Sequence, residues 1–168
     1  DSRLTAMGLI DTEQPHGLNW RFKLFLANRR TPGFGSALGW LAGRRRLRRN
    51  GFVFGDAFVD RSLLDGEFDE FFLRPLATDP LRRAAAIKVL RTFDPRYVQQ
   101  LVDLHRNITV PVQLVWGEQD KFFPVDWARE MVKTFPDARL TVIPDAGLFS
   151  HEERPSEVAK ALLTVLAR

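Results

Sequence analysis

The chain has 168 residues, of which 45% are hydrophobic and 27% charged, and this composition predicts one folded domain rather than a disordered protein. It has no cysteine and only three histidines, which excludes disulfides and cysteine catalysis and argues against a metal site. No apolar run reaches the roughly 18 residues that span a bilayer, and no signal-peptide pattern is present. We therefore expect a cytoplasmic protein with no membrane partner.

The net charge of +4 comes largely from a local arginine cluster, with five arginines within six positions, at 44, 45, 46, 48 and 49. A nucleic-acid reader would combine such a cluster with base-stacking aromatics or a known reader motif, and neither is present. We interpret the cluster as a solvated surface and expect no nucleic-acid partner. The rival hypothesis predicts binding that weakens steeply with added salt.

The first predicted element is a strand within residues 1–15. Residues 1–10 are short and mostly apolar, and polar residues follow at once. The core of the strand is predicted to run from Arg3 to Ile10. A buried strand needs neighbours on both sides, yet no other strand candidate occurs for about a hundred residues.

Residues 16–108 show helical patterns throughout. Apolar residues fall at helical spacing at Leu18, Phe22, Phe25 and Leu26. Helix starts are predicted at Thr31-Pro32, Ser62, Asp79-Pro80 and Asp94-Pro95, where a capping residue or a proline precedes an apolar stripe. This segment is predicted to form a helical layer.

Residues 109–168 change in character and predict strand, helix, strand, helix. The strands are expected at 112–116 and 140–143, and the helices begin at Pro124 and Pro155. Two parallel strands joined by a right-handed helical crossover follow from this order. We expect the first strand of the chain to pair with them in one small parallel sheet.

Reactive groups of α/β proteins lie in the loops after the carboxyl ends of parallel strands. The loop after the strand at 112–116 contains Asp120, and the loop after the next strand contains His151. A carboxylate that orients an imidazole is the acid–base half of a nucleophilic triad. We therefore predict Asp120 as the catalytic acid and His151 as the candidate base.

The segment Val115-Trp-Gly-Glu-Gln-Asp120, followed by Phe123-Pro124, resembles the acid loop of α/β-hydrolases, especially the epoxide-hydrolase and haloalkane-dehalogenase branch. Ile143-Pro-Asp-Ala-Gly147 and the final helix continue the likeness over residues 109–168. The resemblance implies that Asp120 is the triad acid and that the three strands are the sixth to eighth of a hydrolase sheet. It also implies a helical cap at residues 16–108 and no metal or organic cofactor.

The chain departs from the family pattern at two places. The family places its histidine directly after the glycine, where this chain has Leu148, and His151 comes three residues later. His151 either turns into the site or is a surface residue beside Glu152. The nucleophile elbow is also absent: Ser36 lies in a glycine-rich stretch, but no strand leads into it, so we interpret it as a cap-helix serine.

Several further residues are weaker candidates. Asp11 and Glu13 follow the first strand, where some family members place the acid, but we interpret them as turn residues. His16 and His105 are predicted to have surface or capping roles. Trp20, Trp40 and a phenylalanine-rich helix either belong to the core or line an apolar pocket, and the core is the preferred interpretation.

These features predict the C-terminal part of an α/β-hydrolase, with three parallel core strands and a helical cap. The whole protein would hydrolyse a small apolar ester, epoxide or halide through a nucleophile in a missing N-terminal half of the core. The alternative is a non-catalytic, degenerate relative that binds without turnover. Because the chain has no elbow, we expect it to be inactive in isolation.

Overall fold

The computed structural model describes residues 3–166 and contains one parallel three-stranded sheet. Its strands are β1 (Met7–Ile10), β2 (Val112–Gly117) and β3 (Ala138–Ile143), in the order β1-β2-β3. Met7 pairs with Val112, and Val112 pairs with Ala138. The prediction that the first strand joins the later two in one parallel sheet is confirmed.

β1 is shorter than predicted. Pairing begins only at Met7, whose N–H donates to the carbonyl of Pro111 at 3.0 Å. Pro111 has no N–H of its own, so the ladder with β2 cannot extend further toward the amino end of β1. Residues 1 and 2 of the predicted strand lie outside the described residues.

β2 is the centre of the sheet, and all six of its residues are buried. Val112, Leu114 and Trp116 point to one face, into an apolar cluster with Met131 of the helix that follows β2. Val115 points to the other face, into a second cluster with Val158 of the final helix. Both faces of a parallel sheet are normally covered in this way.

The chain divides into two compact units. The first comprises residues 1–18 and 95–168, and the second comprises residues 19–94. The helices of the first unit are α6 (Arg96–Gln99), α7 (Leu101–Arg106), α8 (Val125–Met131), α9 (Ser150–Glu153) and α10 (Pro155–Leu166). The helix predicted from Asp94-Pro95 is therefore two short helices, whereas the helices predicted from Pro124 and Pro155 begin within one residue of those prolines.

The second unit is helical, as its pattern predicted. Its helices are α1 (Trp20–Asn28), α2 (Phe34–Ala42), α3 (Arg45–Arg48), α4 (Arg74–Thr78) and α5 (Pro80–Thr92), with a π-helical turn (Asp69–Leu73) directly before α4. Asp79 caps α5 as predicted, because its side chain accepts hydrogen bonds from the N–H groups of Leu81 and Arg82. No helix among residues 3–166 is both long and apolar enough to cross a membrane.

Two predicted helix starts in this unit are wrong. Thr31-Pro32 belongs to a turn closed by the Phe34 N–H and the Thr31 carbonyl, with Gly33 at φ 79° and ψ −5°. These angles are those of the third position of a type II turn, which requires glycine. The second wrong start is Ser62. The capping side chain there is that of Asp60, which accepts a hydrogen bond from the Ser62 N–H, and the element that it caps is a 3₁₀ helix, Arg61–Asp65.

In the arginine cluster, Arg44, Arg45 and Arg46 are exposed as predicted, but part of the cluster belongs to an ion-pair network that the sequence did not indicate. Arg48 is buried and donates to the carboxylates of Asp65 and Asp69. Arg45 and Arg49 also pair with Asp65, and Arg74 pairs with Asp69. Burial alone would raise the pKa of Asp65, but the hydrogen bonds from Arg48 and Arg45 outweigh it and lower that pKa below its ordinary value.

The core assignment for several aromatic residues is also wrong. Trp20, Trp40, Phe71 and Phe72 each expose more than half of their surface within the chain. Phe68 of the same predicted helix is buried and stacks against Phe72, with ring centroids 4.9 Å apart. The helical spacing therefore identified one buried face, but it assigned too many rings to that face.

Candidate active site

The carboxyl ends of β1, β2 and β3 bring three loops together in the first unit. Asp11 follows β1, the acid loop (residues 118–124) follows β2, and the loop 144–149 follows β3 and leads into α9. Gly117 makes this approach possible, because a Cβ built there would lie 2.1 Å from the Gly147 carbonyl oxygen. The Glu118 N–H donates to the Ile143 carbonyl at 3.0 Å, which ties the two later loops together.

Asp11 is a buried structural link between all three strand ends. One of its carboxylate oxygens accepts from the Gly117 N–H at 2.8 Å, and the other accepts from the N–H and the hydroxyl of Ser150. Asp11 has a φ of 39°, a left-handed conformation that aspartate tolerates better than most residues. Burial raises its pKa to about 6, although the hydrogen bonds from Ser150 and Gly117 oppose the shift.

Asp120 is also buried, and its two carboxylate oxygens have different surroundings. Oδ1 accepts from the N–H groups of Phe122 at 2.7 Å and Phe123 at 3.0 Å. Oδ2 is buried and has no hydrogen-bond partner among the described residues. Burial raises the pKa of Asp120 to about 7, and the nearby Asp11 carboxylate adds to the increase.

The acid loop is held rigidly around Asp120. The indole N–H of Trp116 donates to the Phe123 carbonyl at 2.7 Å. Gln14, which is fully buried, reaches from the segment after β1 and donates to the Pro124 carbonyl at 3.2 Å. A carboxylate fixed on both sides in this way is suited to orient a neighbouring group, since its own position costs no reorganisation.

The structure does not bring His151 to Asp120. Its side chain is 45% exposed, and its Nε2 atom lies 3.9 Å from a carboxylate oxygen of Glu152. Leu148, the residue directly after Gly147, is partly buried against the apolar cluster that contains Trp116 and Phe123. The catalytic role of His151 therefore remains a prediction that needs a different position of the ring.

Glu153 and Ser150 are site residues that the sequence did not single out. Glu153 is buried, and its carboxylate accepts from the Gly147 N–H at 2.6 Å. Ser150 is fully buried against Asp11. The sequence did contain a signal for both residues. Residues three apart in a helix share one face, so Ser150 and Glu153 lie on the same side of α9. The apolar residues directly before Ser150 favour a helix whose Ser150 face points inward.

The remaining candidate residues lie apart from this carboxyl pair or have other roles. Ser36 is an exposed residue of α2 in the second unit, and the element directly before α2 is the helix α1 rather than a strand. His16 is exposed and stacks on Trp127. His105 is buried rather than on the surface as predicted: its ring lies 3.9 Å from that of Phe135, its Nδ1 is 2.7 Å from the Thr134 hydroxyl, and burial lowers its pKa. Residues 3–166 contain no group of three acidic or histidine side chains arranged to hold a metal ion.

Comparison with protein families shows to which family the chain belongs. Residues 6–161 match the model of the "Alpha/beta hydrolase family". The chain belongs to this family. It therefore shares the family's fold, while the substrate and the individual roles of its residues need arguments of their own.

Known relatives of this hydrolase-family chain include enzymes of several kinds. It is 26% identical over 117 residues to a 2-hydroxy-6-oxononadienedioate/2-hydroxy-6-oxononatrienedioate hydrolase of a Pseudomonas species, covering 70% of this chain and 39% of that protein. It is 34% identical over 67 residues to the bovine monoacylglycerol lipase ABHD6, covering 38% of this chain and 20% of the lipase. The chain thus spans less than half the length of these relatives.

Among solved structures, the chain is similar to the 2-hydroxy-6-oxo-6-phenylhexa-2,4-dienoate hydrolase of Rhodococcus sp. strain RHA1. The TM-score is 0.70 at 17% identity, with 99% of this chain and 56% of the other covered. At this level of identity the likeness establishes the fold alone.

Proposed function

We propose that the protein containing this chain is a hydrolase of small apolar esters, epoxides or halides, in which Asp120 is the acid of the triad. The observation that carries this proposal is the buried Oδ2 atom of Asp120, which has no partner among the described residues. A buried carboxylate oxygen without a donor is costly, and an imidazole N–H is the donor that a triad supplies.

Asp11 is the less suitable acid of the two. Both carboxylate oxygens of Asp11 already accept hydrogen bonds, one from Gly117 and the other from Ser150. Neither oxygen is therefore left without a donor, as Oδ2 of Asp120 is. The role of Asp11 in the proposal is to fix the loop after β3 against the end of β2. Asp120 then holds the base, and Asp11 holds the loops.

The base and the nucleophile are the open parts of the mechanism. His151 could act as the base only if the short helix α9 turned its ring inward. A nucleophile and its oxyanion donors would come from the N-terminal half of the core, which we propose as the partner of this chain along the open side of β1. The narrower likeness to epoxide hydrolases and haloalkane dehalogenases rests on the acid loop alone.

A second function is a relative that binds an apolar ligand without turnover. The observation that favours it is Leu148, whose side chain packs against the apolar cluster at the position where the family has its histidine. In that case Asp120 would be a remnant of the triad.

The acid role can be tested by introducing an imidazole at position 148. In L148H we expect an NMR titration to show a histidine pKa raised by at least about one unit, because an adjacent carboxylate favours the charged ring. The double variant L148H/D120N should lose that increase, and L148H/D103N, which changes an exposed carboxylate, should retain it. A pKa in L148H that does not respond to D120N would refute Asp120 as the acid.

Turnover by the natural gene product that contains these residues separates the two functions. Hydrolysis of p-nitrophenyl acetate that falls at least about a hundredfold in D120N would support the hydrolase. The binding function would be supported instead if the wild type bound the ester saturably without hydrolysing it and the L148H variant hydrolysed it.

A further inference from the structure

The helical unit, residues 19–94, contains a cleft of about 400 Å³ between α2, α4 and α5. It is lined by Gly39 of α2, by Gly43 directly after α2, and by Ser36, Trp40, Arg44, Ala77 and Arg83. A volume of this size lies within the range of small-molecule sites, which is roughly 300–1,000 Å³. A bare inorganic ion would leave most of the cleft empty.

Two of the lining positions, Gly39 and Gly43, have no side chain, and a side chain there would meet neighbouring groups. A Cβ built on Gly39 would lie 2.9 Å from the Arg83 side chain and 3.0 Å from the Leu76 carbonyl oxygen. A Cβ on Gly43 would lie 3.3 Å from the Ala77 methyl group. The two glycines therefore allow the end of α4 to approach α2 closely while Arg83 lies across the opening.

Arg83 is anchored at the cleft by only part of its guanidinium group. Its Nη1 atom donates to the carbonyls of Leu76 at 3.0 Å and Ala77 at 2.9 Å, at the end of α4. Its Nε and Nη2 donors have no partner among the described residues. A guanidinium fixed by two carbonyls presents its remaining N–H groups in one geometry, so binding an oxyanion costs little side-chain entropy.

Arg44 supplies a second cation to the lining of the cleft. Its guanidinium carbon lies 3.9 Å from the centre of the Trp40 ring, and its Nη1 atom donates to the Trp40 carbonyl. The neighbouring arginines 45, 48, 49 and 74 are paired with Asp65 or Asp69. Arg44 has no carboxylate partner among residues 3–166, and no acidic residue lines the cleft.

We propose that this cleft binds a small organic anion. Arg44 and Arg83 would hold its carboxylate or phosphate group, and its apolar body would lie against Trp40 and Ala77. The hydroxyl of Ser36, at one end of the cleft, offers a further donor. Two guanidiniums without a carboxylate in one concave site match an oxyanion in charge and in hydrogen-bond geometry.

Titration calorimetry of the chain with benzoate tests this proposal, with benzamide as the neutral control of the same shape. We expect saturable binding of benzoate and at least about tenfold weaker binding of benzamide, because a guanidinium bonds more strongly to a charged carboxylate than to a neutral amide. A parallel titration with phenyl phosphate distinguishes the two anions: the tighter ligand identifies the group for which the cleft is built.

The variants R44Q and R83Q should each weaken benzoate binding by about tenfold. R46Q is the matched control, because Arg46 is an exposed residue of α3 that does not line the cleft, and it should bind within about twofold of the wild type. R44Q decides the outcome if R83Q fails to fold by circular dichroism. Equal binding of benzamide, an equal loss in R46Q, or no saturable binding at about 20 mM benzoate would overturn the proposal.

Discussion

Asp11 and Asp120 are two carboxyl groups that fold into buried positions at adjacent strand ends. Their pKa values are raised to about 6 and about 7, in each case mainly by burial. The folded state therefore holds protons that the unfolded chain has already released at the same pH. Well below pH 4 both states are protonated, so these two groups lower the unfolding free energy as the pH rises from about 4 to about 7, and their contribution is constant above that range. The lowered pKa of the buried His105 has the opposite effect as the pH rises toward its ordinary pKa.

The variant D120N removes this dependence for one of the two groups. A shift from 3.8 to about 7 corresponds to a free energy on the order of 4 kcal/mol. We expect the stability of D120N relative to the wild type to improve by up to that amount between pH 4 and pH 8. Urea denaturation at several pH values measures the difference.

The control for this experiment is D103N, which changes an exposed carboxylate whose side chain is 82% accessible. Its difference from the wild type should hardly vary over the same pH range. A constant difference between D120N and the wild type from pH 4 to pH 8 would show that Asp120 keeps an ordinary pKa in the fold.

The acid loop could be predicted from the sequence, whereas the position of His151 could not. The position of Asp120 was predictable because it depends on local signals: the strand β2, the glycine at its end and the neighbouring residues of the loop. His151 depends on how α9 is rotated, and that rotation is set by Ser150, which bonds to Asp11 from 139 positions away. With Ser150 and Glu153 on the inner face of the helix, the residue next to Ser150 points about 100° away from that face.

At the level of elements, α3 shows how a charged cluster can be structural. Its arginines would be read from sequence as a basic surface, because the acidic partners Asp65 and Asp69 lie about twenty residues away along the chain. Arg48 is buried between those two carboxylates and also contacts the Ala42 carbonyl. Composition predicted the charge, but only the fold specifies which charges are paired.

We expect R48K to destabilise the helical unit by about 3 kcal/mol, because lysine cannot serve two carboxylates in the planar geometry of a guanidinium and leaves buried charge unpaired. Hydrogen–deuterium exchange over residues 19–94 measures the effect locally. R46K, on the exposed side of the same helix, should exchange like the wild type. Protection in R48K equal to that in R46K would contradict a structural role for the network.

At the scale of the whole molecule, the chain combines a small parallel sheet, which carries the proposed acid Asp120, with a helical unit. The family and the parallel sheet were predictable, because β2, β3 and α10 carry strong local patterns and the acid loop is specific. The helical cap at residues 16–108 stays a prediction, and the compact helical unit of the structure comprises residues 19–94. Residues 95–106 are helical in pattern but belong to the first unit.

The isolated chain should not turn over nitrophenyl esters or epoxides above the buffer rate. It lacks a nucleophile elbow, and oxyanion donors alone can contribute about a hundredfold or more in rate. A spectrophotometric assay with p-nitrophenyl acetate checks this, with S36A as the control for an unexpected nucleophile. Turnover that is present in the purified chain and lost in S36A would show that Ser36 is the nucleophile after all.

The link between Asp11 and Gly117 closes a loop of 106 residues. The entropy lost by closing a flexible loop grows only with the logarithm of its length, so doubling the loop costs about 0.6 kcal/mol more. The free energy of forming the sheet therefore depends only weakly on the length of the helical segment between its first two strands. Within the limits of chain entropy, this segment is free to lengthen, shorten or be replaced, and the three strands would still find the same register.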